Sequence, residues 1–200
     1  MIRPRWRWLL PCLLLSACAR APLPSAGGQP WQAPAWQDWR LEGRIGVRAE
    51  GEGWHGRFRW IQGSAGFDLR LWGPLGQGAM HLQGWPGGSS LTLADGRRWQ
   101  GRAVARRLRA RLGVVLPLRE LGDWVRGRPA PGEPARVERA ADGRPRRLVQ
   151  AGWTVDYAAY QRFSGVERLL PRRLLLSAGR VRVRLVLDHW SVPGGGRPAP

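Results

Sequence analysis

The side chains that could support catalysis are few and lie far apart in the sequence. The three histidines are His55, His81 and His189, and neither an HExxH pattern nor a cluster of cysteine ligands accompanies them. Asp188 precedes His189, but no serine lies in a GxSxG turn. A GxGxxG match at 51–56 is not followed by a helix pattern, so it indicates a hairpin rather than a phosphate-binding loop. We therefore expect a binding protein rather than an enzyme, with no metal and no cofactor.

One cysteine has the surroundings of a lipid-modified residue. Residues 1–17 begin with a positive segment and continue with an apolar run, Trp8 to Leu15, that is shorter than the about 20 residues needed to span a bilayer. The run ends in Leu15-Ser16-Ala17-Cys18, which matches the bacterial lipobox, where the cysteine is diacylated and becomes the mature N-terminus. The alternative is an ordinary secretory signal with a chance cysteine. We interpret residues 1–17 as a lipoprotein signal peptide and Cys18 as the lipidation site.

The residues after Cys18 predict its destination and the domain organisation. Ala19 stands where an aspartate is the usual inner-membrane retention signal, so the lipobox resemblance implies sorting to the outer membrane. Residues 18–35 are rich in Pro and Gly and are interpreted as the lipidated N-terminus and a flexible tether. Cys12 leaves with the signal peptide, so the domain relies on its core rather than on disulfides. The chain length suits one domain, at 36–191, with a disordered tail at 192–200.

The stretch 67–82 places one leucine among turn-forming residues. Alternating apolar residues predict a strand before the turn and another after it: Phe67, Leu69 and Leu71, then Met80 and Leu82. Between the strands, Gly73, Pro74 and Gly76 break the sheet around Leu75. Leu75 either stands out into solvent or folds back to plug the end of the sheet, and this stretch alone favours the plug or an ordinary exposed leucine.

The remaining periodicities predict a sheet with two central helices. Period-two alternation predicts strands within 41–47, 54–60, 91–93, 97–102, 148–157, 169–177 and 180–190. Period-four spacing predicts a helix from Val104 to Leu112, ended by Gly113, and a second helix from Pro117 to Gly127. The first helix covers one side of the sheet or lies on a membrane surface, and we favour the former. A Pro- and Gly-rich stretch from Arg128 to Pro145 predicts a long loop. The pattern is mainly β (α+β): a curved antiparallel sheet or open barrel with helices over its mouth.

The positive charge of this chain comes from arginine rather than lysine. The 33 basic and 14 acidic residues give a formal net charge of +19, and the sequence contains no lysine. This usage, with abundant Gly, Ala, Pro and Trp, is typical of a GC-rich genome. Arginine interleaved with tryptophan could suit a nucleic acid, but the arginines are spread over many elements and the lipobox argues against that partner. Attraction to anionic lipid headgroups is the more economical interpretation.

Six segments, in order and with the right spacing, resemble the LolB family of outer-membrane lipoprotein receptors. They are LEGRIGV at 41–47, WHGRFRW at 54–60, FDLRLWGPLG at 67–76, LPLRELGDWVRG at 116–127, GWTVDY at 152–157, and the ending from Leu170 to Trp190. The resemblance covers roughly Trp39 to Trp190, together with the lipobox. The sequence departs from the family in its arginine load and in the stretch from Arg128 to Pro145.

The resemblance implies a fold and a set of partners. The expected fold is a half-open antiparallel β-barrel with helices covering a hydrophobic cavity. The loop Gly73-Pro74-Leu75-Gly76 would insert into the membrane, with Leu75 acting in cargo delivery. The partners would be a LolA-type periplasmic carrier, lipoprotein cargo bound through its acyl chains, and outer-membrane phospholipid. The protein would be a lipid-anchored monomer on the periplasmic side of the outer membrane.

The inward faces of the predicted strands and helices supply the candidate cavity lining. The candidates are Ile45, Phe58, Trp60, Phe67, Leu69, Leu71, Met80, Leu82, Leu108, Leu121, Trp124, Val155 and Leu185. For any single one of them, ordinary core packing is the competing interpretation. The alternative function is an outer-membrane scaffold lipoprotein that binds protein or an envelope polymer through its arginines. An empty apolar pocket would favour the receptor, and a filled core would favour the scaffold.

Overall fold

The computed structural model describes residues 30–49 and 51–192. Alternating apolar and polar residues form eleven strands, and the period-four stretches form two helices. The strands are β1 (Trp39–Ala49), β2 (Glu52–Gly63), β3 (Gly66–Trp72), β4 (Met80–Trp85), β5 (Gly88–Leu93), β6 (Arg98–Gln100), β7 (Ala135–Arg139), β8 (Pro145–Gln150), β9 (Trp153–Phe163), β10 (Val166–Ala178) and β11 (Val181–Ser191). The helices are α1 (Arg102–Leu112) and α2 (Leu118–Trp124), and a 3₁₀ turn spans Pro74–Gly76.

All eleven strands belong to one antiparallel sheet that does not close. The strand order is β6-β5-β4-β3-β2-β1-β11-β10-β9-β8-β7, so the first and last strands pair at the centre. In that pairing Ile45 lies opposite Leu185, and both side chains point into the core. Strands β6 and β7 are the two edges and do not pair with each other. The predicted half-open, mainly antiparallel fold is confirmed.

The two helices lie against the concave face of this sheet. Helix α1 buries Val104, Leu108 and Leu112 along one side and turns its arginines to solvent. It ends at Gly113, which has φ 71° and donates its backbone N–H to the carbonyl of Arg109. The apolar face of α1 is therefore packed in the core, as expected of a helix that covers a sheet.

Two predictions about the second half of the sheet are wrong. The predicted loop from Arg128 to Pro145 contains β7, which pairs with β8 to form a hairpin at the sheet edge. The predicted strand within 148–157 is two strands, because the chain reverses between Gln150 and Trp153. The reversal uses Ala151, at φ 51°, and the glycine that follows it.

The packed part of the chain begins before the predicted domain boundary. The indole of Trp31 donates a 2.8 Å hydrogen bond to the carbonyl of Leu169 and packs edge-on against Tyr160. The predicted signal peptide, the lipidation site Cys18 and residues 193–200 of the predicted tail lie outside the described residues. Within 30–49 and 51–192, no helix is long and apolar enough to cross a bilayer. The same residues contain no group of three or more His, Cys, Asp or Glu arranged to hold a metal ion.

Candidate functional site

The loop between β3 and β4 is a tight, hydrogen-bonded turn rather than a flexible connection. The N–H of Gly73 donates to the carbonyl of Gln77 at 2.8 Å, which closes the base of the loop. The N–H of Gly76 then donates to Gly73, and that of Gln77 donates to Pro74. Within this frame none of the residues Pro74–Gly76 is buried.

Leu75 stands at the tip of the loop, fully in solvent. Its side chain is 97% exposed, so it does not fold back to plug the sheet. Its backbone has φ 56° and ψ 22°, in the left-handed region, which costs a non-glycine residue about 1–2 kcal/mol. A leucine at this position gains no packing and accepts backbone strain. Its placement therefore does not serve the stability of the fold.

An apolar cavity lies between the sheet and α2. The sheet contributes Ile45, Phe58, Trp60, Leu69, Leu71 and Leu185, and the cover contributes Leu116, Leu118, Leu121 and Val125. No charged side chain from 30–49 or 51–192 lines it. The arrangement follows from the strand period, because residues i and i+2 on β2 and on β3 point to the same side of the sheet. Such a surface can take up hydrocarbon but offers little to a polar ligand.

The cavity is closed in this conformation. Its volume is about 20 Å³, which is room for roughly one water molecule. Ligand pockets are usually about 300–1,000 Å³. An acyl chain can therefore enter only if α2 and the segment before it move away from the sheet.

The predicted lining residues divide into two groups. Those that line the cavity are Ile45, Phe58, Trp60, Leu69, Leu71, Leu121 and Leu185. The other predicted residues do not line it here: Met80, Leu82, Leu108, Trp124 and Val155 are buried elsewhere in the core, and Phe67 is half-buried. Their role in binding stays a prediction.

Three lining residues were missing from the predicted set, and all lie on the cover. Leu118 and Val125 share the face of α2 that carries Leu121, so the helical period could have identified them. Leu116 precedes Pro117 in an irregular segment, where no periodicity indicates which way a side chain points.

The carboxyl end of α2 is held by a buried polar cluster. Arg126, 7% exposed, donates to Asp123 at 2.5 Å and to the carbonyls of Gly122 and Trp36. Arg128 donates to the same carboxylate at 2.6 Å. Burial lowers the pKa of the Arg126 guanidinium, and the neighbouring positive charge of Arg128 lowers it further. The cluster joins the helix to the segment that precedes β1.

Two further hydrogen bonds fix the same end of α2 to the sheet. The indole of Trp124 donates to the side-chain oxygen of Gln150 at 2.8 Å, and the hydroxyl of Tyr157 donates to the carbonyl of Trp124 at 2.9 Å. Burial raises the pKa of Tyr157 well above its ordinary value. The cavity cover is therefore anchored at one end, from Asp123 to Arg126.

A basic groove runs along the outer face of the sheet up to the Leu75 loop. Its charged lining is Arg44, Arg57 and Arg184, and its apolar lining includes Trp72, Val186 and the loop from Gly73 to Gly76. Arg44 is paired with Asp188 at 3.0 Å. Among the described residues, neither Arg57 nor Arg184 has an acidic partner within 4.0 Å.

Comparison with known proteins gives one consistent match. The family model described as "Outer membrane lipoprotein LolB" matches residues 37–190. A protein of that name from Stutzerimonas stutzeri is 37% identical, over 94% of this chain and 97% of its own. Another from Pseudomonas aeruginosa is 38% identical, over 80% of this chain and 77% of its own.

Among solved structures, a putative outer membrane lipoprotein-sorting protein domain from Vibrio parahaemolyticus matches with a TM-score of 0.45 and 8% identity. The match covers 82% of this chain and 89% of that one. The family model spans all the strands from the start of β1 to Trp190 in β11, together with both helices and the Leu75 loop. The chain belongs to the LolB family.

Proposed function

We propose that this protein is an outer-membrane lipoprotein receptor. It accepts lipoproteins from a LolA-type periplasmic carrier, holds their acyl chains in the apolar cavity under α2, and inserts them into the outer membrane. Its own acylated Cys18 anchors it on the periplasmic side. No catalytic step is required of it, because the reaction is a transfer of cargo between binding sites.

The observation that carries the proposal is the exposure of Leu75. A leucine that is 97% exposed in a left-handed conformation contributes to neither packing nor solubility. An apolar tip on a rigid turn is suited to entering the acyl region of a bilayer, where a leucine side chain gains about 1.5–3 kcal/mol. The loop therefore supplies a point at which cargo can be delivered into lipid.

The cavity is nearly filled, at about 20 Å³, which by the pocket criterion alone points to the scaffold; the exposed Leu75 is what favours the receptor, and the receptor requires the cover to open. Each acyl chain costs about 0.8 kcal/mol per CH₂ to expose to water, so cargo must pass from one dry site to another. The apolar walls offer such a site once the cover moves, and the closed form keeps those walls from water between transfers. Because the sequence contains no phosphate-binding loop, the transfer is expected to run toward higher affinity.

The basic groove beside the loop favours approach to a phospholipid surface. Arg57 and Arg184 lie on the outer face next to Leu75, where they would meet lipid phosphates as the tip enters the bilayer. This use of the arginines accounts for their position without a separate protein or polymer partner, so the receptor is favoured over a scaffold.

The test is Leu75→Glu in the mature chain. We expect an unchanged melting temperature, because an exposed side chain contributes little to folding. We also expect normal acceptance of lipoprotein from the carrier, because the cavity is untouched. Insertion of that cargo into liposomes should fail, since a carboxylate is costly to place in the membrane.

Val149→Glu is the matched control. Val149 is 39% exposed on β8, which five strands separate from β3 in the sheet, and the change in charge is the same. This control should insert cargo as well as the unmodified protein. Full insertion activity in Leu75→Glu, or a large fall in its melting temperature, would contradict the proposed role of the loop.

A further inference from the structure

Three packed tryptophans, one of which lines the cavity, carry buried hydrogen-bond donors with no partner among the described residues. The indole nitrogens of Trp39, Trp60 and Trp190 are buried and make no hydrogen bond among the described residues. The rings pack together, with centroids 5.3 Å apart from Trp39 to Trp60 and 5.3 Å from Trp39 to Trp190. Buried donors are almost always paired, so three unpaired donors in one cluster call for an explanation.

Two of these rings lie directly against the cover of the cavity. A Cβ placed on Gly122 of α2 would lie 3.7 Å from Cζ2 of Trp60 and 3.9 Å from Cζ2 of Trp39. Cζ2 is two bonds from the indole nitrogen, so both N–H groups lie close to Gly122. Trp60 also lines the apolar cavity. These donors therefore lie where the cavity meets α2, close to the end of the helix that the polar cluster holds.

No neighbouring side chain uses these donors. The amide of Gln62 lies close by, with its oxygen 3.8 Å from the same point above Gly122. Its nitrogen donates to the carbonyls of Gly63 and Gly66, both at 3.2 Å, which fixes the amide in place. The indoles of Trp39 and Trp60 make no hydrogen bond to it.

A lipid acyl chain brings the acceptor that this cluster lacks. The chain itself is hydrocarbon, but it is joined to its headgroup through an ester or amide carbonyl. We propose that Trp39 and Trp60 donate their indole N–H groups to the acyl carbonyls of bound lipid, so that the head of each chain is fixed beneath α2 while its tail lies along the apolar wall. This inference rests on the proposed function, since it assumes that acyl chains enter this cavity.

The experiment compares two probes that differ in one carbonyl. The mature chain carrying Cys18→Ala keeps every described residue, and its affinity is measured by calorimetry for 1-decanoylglycerol and for 1-O-decylglycerol. The ester has the carbonyl, and the ether does not. We expect the ester to bind about three- to tenfold more tightly, which corresponds to one net hydrogen bond. With ¹⁵N-labelled tryptophan, the indole N–H signals of Trp39 and Trp60 should move downfield with the ester and not with the ether.

Variants assign the preference to named donors. Trp60→Phe and Trp39→Phe each keep an aromatic ring and remove the N–H. Each should reduce the ratio of ester affinity to ether affinity, and the double variant should bring this ratio close to one. Trp85→Phe is the matched control, because Trp85 is 45% exposed and does not line the cavity; it should keep the full ratio. The unmodified protein tests the inference even if a variant fails to fold, through the ratio and the indole signals.

Each contrary outcome has a separate meaning. Equal affinity for ester and ether, with no indole shift, would overturn the inference and leave the acyl-chain cavity standing. Binding of neither probe would overturn both the inference and the proposed cavity. An ester preference that persists in the double variant would overturn the assignment to Trp39 and Trp60.

Discussion

At the scale of single residues, Leu75 and Trp60 both lower the stability of the fold, but for opposite reasons. Leu75 accepts a strained backbone and full exposure, whereas Trp60 buries a donor without a partner. Neither cost is recovered within the described fold. Both residues belong to surfaces that the proposed cargo or the membrane would meet, which gives each cost a functional reason.

Leu75 and the cavity differ in how far the sequence could predict them. The flanking glycines and Pro74 identified the loop, but not whether Leu75 points outward or inward, because that depends on the left-handed conformation of the turn. Strand alternation identified Ile45 and Leu185 as inward residues, but could not separate lining from core. An inward residue lines the cavity only if it lies beneath α2. Which residues do so depends on the tertiary packing, which the alternation along a single strand does not show.

A prediction at this scale concerns the two tyrosines and alkaline pH. Burial raises the pKa of both Tyr157 and Tyr160 above the ordinary value of 10.0. Above about pH 10 the unfolded chain releases these protons while the folded chain keeps them, so stability is full below pH 10 and falls as pH rises. Each tyrosine contributes a slope of about 1.4 kcal/mol per pH unit. The chain contains no lysine, which would otherwise titrate in this range.

Urea unfolding followed between about pH 9 and pH 11 measures this slope. The double variant Tyr157→Phe, Tyr160→Phe is the control, and its stability should be nearly constant over that interval. A control that loses stability as steeply as the unmodified protein would rule out the tyrosines as the cause.

At the scale of elements, α2 is a cover anchored at one end. Its carboxyl end is held by Asp123, Arg126, Gln150 and Tyr157, while the segment before it, through Leu116, contributes only apolar contacts to the cavity. Apolar contacts can be exchanged for contacts with an acyl chain, but the buried polar contacts have no substitute in lipid. Opening is therefore expected to swing the amino-terminal end of α2 about its fixed carboxyl end.

The anchor is tested by Asp123→Ala. Removing this carboxylate leaves the guanidinium of Arg126 buried with backbone acceptors alone, which should lower the free energy of unfolding by about 3 kcal/mol. Asp142→Ala is the control, because Asp142 is exposed to solvent and its pair with Arg144 should contribute much less to stability. Urea denaturation of both variants measures the difference. Equal losses in the two variants would mean that the cluster does not anchor the helix.

The elements that sequence could not predict are those without a buried face. Strand β7 has the sequence Ala-Arg-Val-Glu-Arg and only Val137 is half-buried, so it shows almost no apolar alternation. It forms a strand because the edge of β8 presents backbone groups with which it pairs. Its own side chains therefore do not indicate the strand. Strands β1, β2 and β3, which have one buried face each, were predicted from alternation alone.

At the scale of the whole molecule, the lipid anchor and the folded domain are separable. The lipobox predicts that the mature protein begins at an acylated Cys18, which mass spectrometry of the N-terminal peptide checks. Cys18→Ala should release the protein into the soluble fraction, because acyl chains supply the membrane affinity. Its melting temperature should not change, since the described contacts begin at Trp31. An unmodified N-terminus at another residue would contradict the prediction.

The central pairing of β1 with β11 has a consequence for when the molecule can fold. Arg44 and Asp188, which bond across this pair, are 144 positions apart in the chain. The other strand pairs join neighbours in sequence and can form early as hairpins. The β1–β11 contact is of high sequence separation and is slow to form, because a long loop must close first. The wall of the cavity that combines Ile45 with Leu185 therefore exists only after the last strand has been synthesised and has joined the first.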